Sequence, residues 1–152
     1  MSQAETGRYT VGVFKDVAAA EKGIGALARQ GFSPEALSII TKDGPAAGEF
    51  IQRMVGKAPA AVALPVVGEV LAAGSLLSAL EGAAQDLARI GLAAAMKRVG
   101  FQSHDGQIFQ SLTERGGVLV AVRSEPRAAD ALTTLHCFGG GNAAIGAWTG
   151  RL

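Results

Sequence analysis

The stretch Leu64–Leu80, LPVVGEVLAAGSLLSAL, decides how the rest of the chain is read, because its composition suits three different structures. Together with Ala58–Ala63 it forms a run whose only charge is Glu69, long enough in principle to cross a hydrocarbon core about 30 Å thick. Pro59 and Pro65 interrupt the first half of that run, alanine stands where Leu and Phe would dominate a span, and no aromatic belt flanks it. A carboxylate at a membrane centre would cost roughly 2.5–3.5 kcal/mol. A helix starting at Pro65 accounts for the same residues at lower cost. Proline is favoured at the first helical position, and Glu69 then falls near the positive end of the helix dipole.

On that helix Gly68, Ala72, Ser75 and Ala79 line up as a stripe of small residues, while Val66, Val70 and Leu77 lie on another face. Small residues let a second helix approach closely. The segment Asp86–Gly100, DLARIGLAAAMKRVG, supplies one, with its own small positions at Gly91 and Ala95. The expectation is an apolar helical hairpin whose stripe meets its own domain or other copies of the chain. Gly68, Glu69, Ala72, Ser75 and Ala79 are the candidate interaction residues.

The flanks of this segment carry a different grammar. In RYTVGVF, Tyr9, Val11 and Val13 alternate as in a half-buried strand. Asp16 is a suitable N-cap, Ala20, Ile24 and Leu27 repeat at helical spacing, and Gly31 is a natural left-handed stop. After Ser33 and Pro34 turn the chain, LSIIT supplies a second β-branched run, completing a βαβ unit over residues 8–41. The order recurs near the other end: Val120 and Val122 correspond to Val11 and Val13, Ala128, Ala129 and Asp130 to Ala19, Ala20 and Glu21, and Gly140 to Gly31. AAIGAWT becomes a candidate last strand, and residues 117–150 a second βαβ half. Two such halves predict a single α+β domain spanning 1–152, ferredoxin-like, with four antiparallel strands covered on one face by two helices. The apolar helical hairpin is inserted within 42–116, which also contains HDGQIFQSLTERG, a helix capped by Ser103 with Ile108 and Leu112 on one face.

Bulk composition narrows the function. The chain has 152 residues, enough for one self-sufficient core. Lys plus Arg number 14 against 13 Asp plus Glu, so a net charge of +1 provides no basic face for nucleic acid. Hydrophobic residues reach 49% with only 5% aromatics and 21 glycines, which favours close packing of small side chains over deep aromatic pockets. A lone cysteine, Cys137, excludes an internal disulfide framework, and MSQAETGRYT lacks the features of a secretory signal. The expected compartment is the cytoplasm.

The succession VGVFKDVAAAEKGIGALARQGFSPEALSII, LPVVGEVLAAGSLLSAL and the run Gly116–Val120, GGVLV, resembles the bacterial general-stress-protein domain family of the heat-induced type. The resemblance extends from Tyr9 to Trp148, and its distinctive part is the central segment with Pro65, Gly68 and Gly74. It departs at Glu69, where a small residue or proline is expected, and in the glycine-rich GGGNAAIGAWTGRL. What the resemblance implies is a small cytoplasmic stress-associated protein with no established enzymatic activity.

Other chemistry is poorly supported. His136 and Cys137 are helix neighbours that point about 100° apart, and no C-x-x-C or H-x-x-H completes a metal set. Cys137 reads as a small buried filler, and His104 and Asp105 as helix-start residues. Gly139, Gly140 and Gly141 follow a helix instead of preceding one, so they do not make a phosphate-binding start. No cofactor or catalytic residue is expected. The sequence therefore points to a non-enzymatic interaction protein, homo-oligomeric or bound to a protein partner through its insertion. The competing readings are a membrane protein using the same segment and a small-ligand or redox sensor.

Overall fold

β1 (Gly7–Phe14) leads through a tight turn into α1 (Val17–Arg29), as the alternation and the caps predict. Asp16 Oδ1 accepts a hydrogen bond from the Ala19 amide at 2.8 Å, satisfying one of the free donors of the first helical turn. Asp16→Ala is expected to lower the unfolding free energy by about 1 kcal/mol, read as a shift in the urea midpoint at unchanged slope. The protein is described by a computed structural model covering residues 7–42, 46–56, 58–65, 67–74, 76, 77, 80, 87–98, 101–123 and 128–148.

Beyond α1, Gly31 adopts φ 98° and the chain enters β2 (Leu37–Lys42). In the second half β5 (Val118–Arg123) is followed by α6 (Ala128–Cys137) and β6 (Gly141–Trp148), so the candidate last strand does form as far as Trp148, and Thr149 lies outside the described residues. β5 lies between β1 and β2, antiparallel to both, and β6 pairs antiparallel with the other side of β1. Each half is thus a βαβ unit split by a strand of the other half.

The insertion differs from the helical hairpin. After α2 (Ala47–Val55), which ends at Gly56 with φ 84°, the chain forms β3 (Ala60–Leu64) and β4 (Gly68–Ala73). They pair antiparallel with Leu64 opposite Gly68 and Ala60 opposite Ala72. Pro65 stands in the turn, where its fixed φ and missing N–H are tolerated, and its carbonyl accepts from the Val67 amide at 2.7 Å. No helix begins at Pro65 because Gly68 (φ 96°) and Gly74 (φ 113°) sit outside the right-handed helical region. An apolar run this short suits either helix or strand by periodicity, and sheet pairing decided it. β4 pairs with β2, setting Ala72 opposite Ile40.

The architecture is therefore α+β, with a six-stranded sheet in the order β3-β4-β2-β5-β1-β6. The four-stranded sheet covered on one face is replaced by a wider sheet covered on both. On one face Phe14, Ile39, Val118, Val120 and Val122 pack against Ile24, Leu27, Phe50, Ile51 and Leu135 of α1, α2 and α6. On the other, Tyr9, Val11, Ile40, Val70, Leu119 and Ala121 meet the helical residues Leu76, Leu77 and Leu80, then α3 (Leu87–Ile90), α4 (Leu92–Arg98) and α5 (Ser103–Glu114). Burial on both faces explains why VLVAV and LSIIT read as nearly continuous apolar runs instead of alternating ones.

The helix expected over DLARIGLAAAMKRVG is interrupted where Gly91 takes φ 91°, separating α3 from α4. Close helix packing still occurs, with α5 as the partner of α4. A Cβ at Gly106 would lie 2.9 Å from the Ala93 carbonyl oxygen, so only glycine fits the crossing without displacement. Gln110 Oε1 accepts from the Ala93 amide at 3.0 Å and supplies a partner to the start of α4. Ser103 is the first residue of α5 and not its cap; the cap is Gln102, without a side-chain bond. The face α5 buries is Gly106, Phe109 and Thr113, with Ile108 and Leu112 only half-buried beside it. Similarly, Gly23 opens α1 to the Phe14 ring: a Cβ there would stand 2.5 Å from Phe14 Cζ.

Candidate functional site

The five candidate interaction residues do not share a helical stripe. Gly68 and Glu69 are exposed on β4, Ala72 on the same strand is buried, and Ser75 and Ala79 lie outside the described residues. Along a strand successive side chains alternate faces, so Glu69 points away from the face to which Ala72 contributes. Glu69 stands opposite Ala63 in the hairpin and is a cross-strand neighbour, not a first-turn carboxylate.

What the structure brings forward is the strand before them. β3 ends the sheet, paired with β4 on one side only, so its outer backbone N–H and C=O groups have no ladder partner among the described residues. Ala60, Ala61 and Ala63 are exposed, Val62 is half-buried, and Leu64 is buried under the sheet. No charged side chain occurs from Ala58 to Gly68. Pro59 and Pro65 bracket the strand and confine it to five residues. Val62 and Leu64, then Val70 and Ala72, alternate on either side of a turn containing proline, and this was the signal for the hairpin that helical spacing obscured.

The apolar run is thus divided into strands of five and six residues, and no helix among the described residues is long and apolar enough to cross a membrane. Cys137 is exposed at the end of α6, contrary to the buried filler expected, because the buried face of that helix runs through Ala131, Thr134 and Leu135. Its neighbour His136 is exposed, as is His104 at the start of α5. Among the described residues no group of three His, Cys, Asp or Glu side chains could hold a metal ion.

Depressions on the helical surfaces include two among the described residues. The smaller, about 240 Å³, lies between α1 and α2 against Ile24, Phe32, Leu37 and Met54. Its charged margin is self-compensated by the Glu21–Arg53 ion pair at 2.5 Å. The larger, about 310 Å³, opens at the end of β1 near the turns that follow α5 and α6. Neither displays a nucleophile–base pair of the kind that covalent catalysis requires. Comparison with protein-family models, with curated proteins and with solved structures finds no match to this chain.

Proposed function

We propose that this protein is a non-enzymatic interaction module that self-associates by pairing β3 of one copy with β3 of another. The two split βαβ halves are read as a ferredoxin-like unit to which the β3–β4 hairpin has been added as an adhesive edge. The observation carrying this reading is the apolar, uncharged edge strand itself. Natural sheets guard such edges with charge, proline, short strands or a covering element; here Pro59 and Pro65 limit the strand to five residues, but no charge stands on it. Antiparallel pairing of two copies about Val62 would set Ala61 opposite Ala63, small side chains that meet without clash or like-charge repulsion. The product would be a sheet continuous across two protomers. A stress-associated role rests on the resemblance of the GGVLV and LPVVGEVLAAGSLLSAL segments to general-stress-protein domains.

Ala63→Lys tests the edge without threatening the fold. Ala63 is exposed and faces Glu69 across the hairpin, so the new ammonium gains a cross-strand carboxylate while placing charge on the edge. The expected result is a wild-type dimer or larger assembly in analytical ultracentrifugation and a monomeric variant that keeps the wild-type circular dichroism spectrum, its melting temperature lowered only by the lost association. A monomeric wild type at high protein concentration would overturn the proposal, as would an Ala63→Lys protein that keeps the wild-type mass.

A further inference from the structure

The 310 Å³ cleft is built from segments far apart in sequence. Val13, Phe14 and Lys15 come from the end of β1, Leu112, Arg115 and Gly117 from the end of α5 and the start of β5, and Gly139 from the turn after α6. The floor is apolar. Lys15 and Arg115 are exposed side chains at its margin, and no carboxylate lines it among the described residues. Two cations lining one cleft with an apolar floor, in a chain whose charges otherwise nearly cancel, give the cleft a local positive potential.

The glycines set the shape of the cleft but do not provide its charge. A Cβ at Gly117 would stand 2.7 Å from Val13 Cγ1 and 2.8 Å from the Leu112 carbonyl oxygen, so glycine is what lets β5 start against β1. The amides of Gly117 and Gly139 already donate to the carbonyls of Leu112 (2.9 Å) and His136 (3.1 Å). They are therefore not free to cradle a phosphate as a nest of amides would. Recognition of an anion falls to the two side chains, and recognition of anything attached to it falls to the apolar floor.

We propose that this cleft binds a small organic anion with an apolar body, its phosphate or carboxylate head between Lys15 and Arg115 and its body against Leu112 and the edge of Val13. The volume lies at the lower end of the range for small-molecule sites, matching a ligand of single-ring size. The site is separate from the β3 edge and does not depend on self-association.

The test is titration of the isotopically labelled protein with phenyl phosphate, with inorganic phosphate and phenol as the two halves of the probe, followed by the amide resonances of Gly117 and Gly139. Expected are saturable shifts at both glycines with phenyl phosphate, at least tenfold weaker binding of either half alone, and weakening as salt is raised. The double variant Lys15→Met/Arg115→Met is expected to lose at least tenfold in affinity while its melting temperature stays close to wild type, since both side chains are exposed. Absence of saturable shifts at Gly117 and Gly139 up to about 10 mM phenyl phosphate would overturn the assignment. Undiminished binding by the folded double variant, or equal binding of phenol, would do so as well.

Discussion

Gly74→Ala is expected to lower the unfolding free energy by about 3–5 kcal/mol, from backbone strain and overpacking together. Gly74 sits at φ 113°, where an L side chain is strained whatever space surrounds it. It also has no space: a Cβ would lie 2.5 Å from Ser38 Cα and 2.6 Å from the Leu37 carbonyl oxygen. These are backbone atoms of β2, a strand in the middle of the sheet, so neither rotamer change nor loop movement relieves the overlap. The same junction carries a buried hydrogen bond in which the Leu76 amide donates to Ser38 Oγ at 3.0 Å, and displacement of Ser38 would leave that amide unpaired. Against a total stability of about 5–15 kcal/mol, a loss of this size removes a large share and leaves a folded protein with a much lower urea midpoint. Gly116→Ala is the control. Gly116 has φ 99° but nothing within 4 Å of the added carbon, so only the strain component remains and the loss should be about 1 kcal/mol. Urea unfolding of the two variants reads the difference; equal midpoints would show that packing at Gly74 is not tight.

Phe109→Ala is expected to cost about 3–5 kcal/mol. The side chain is fully buried between α5 and the sheet, in the layer where Leu76, Leu80, Leu92, Met96 and Phe101 meet Tyr9, Val11 and Leu119. Its ring meets Phe101 edge to face, with centroids 6.2 Å apart and planes at 84°, a geometry that adds roughly 0.5–1.5 kcal/mol beyond area burial. Truncation opens a cavity under two short helices whose own hydrogen bonds cannot hold them in place, since helices of four and seven residues owe their stability to packing. The loss should therefore appear as one cooperative transition at a lower denaturant midpoint. A loss below about 1 kcal/mol, outside the range for a well-packed buried aromatic, would mean that this layer is not docked as part of the core.

The flanking halves were legible because each of their signals is local. Asp16 bonds the amide of Ala19, Gly31 turns at positive φ, and Tyr9, Val11 and Val13 share one face, all within a few residues of one another. The final strand could be found only by its correspondence with the first half, since alanine and glycine give it little strand preference of their own. The insertion was misread for the opposite reason. Pro65 and the spacing of Gly68 and Ala72 suit a helix start as well as they suit a turn and one face of a strand, and the choice between them lay in the free edge of β2, which pairs from Ile39–Ala73 to Lys42–Val70, far beyond the reach of any local rule. Of the candidate interaction residues, Gly68, Glu69 and Ala72 all pair with the proposed edge strand, opposite Leu64, Ala63 and Ala60, and of these Gly68 and Glu69 are exposed. The cleft at Lys15 and Arg115 had no sequence signal, because its members are joined only when β1 and β5 pair.

By itself the sequence determined the class of fold, the two βαβ halves, the caps and stops of α1, and a predominantly aliphatic core. These follow from composition and from hydrogen-bond and steric preferences that act over a turn of helix or a pair of strand residues. Only the tertiary structure decided that Leu64–Ala73 would be a hairpin, that the sheet would be covered on both faces, and that β3 would be left as an edge. The physical reason is that a strand gains its hydrogen bonds from a partner elsewhere in the chain. An apolar segment with balanced local preferences takes whichever structure the neighbouring surface completes.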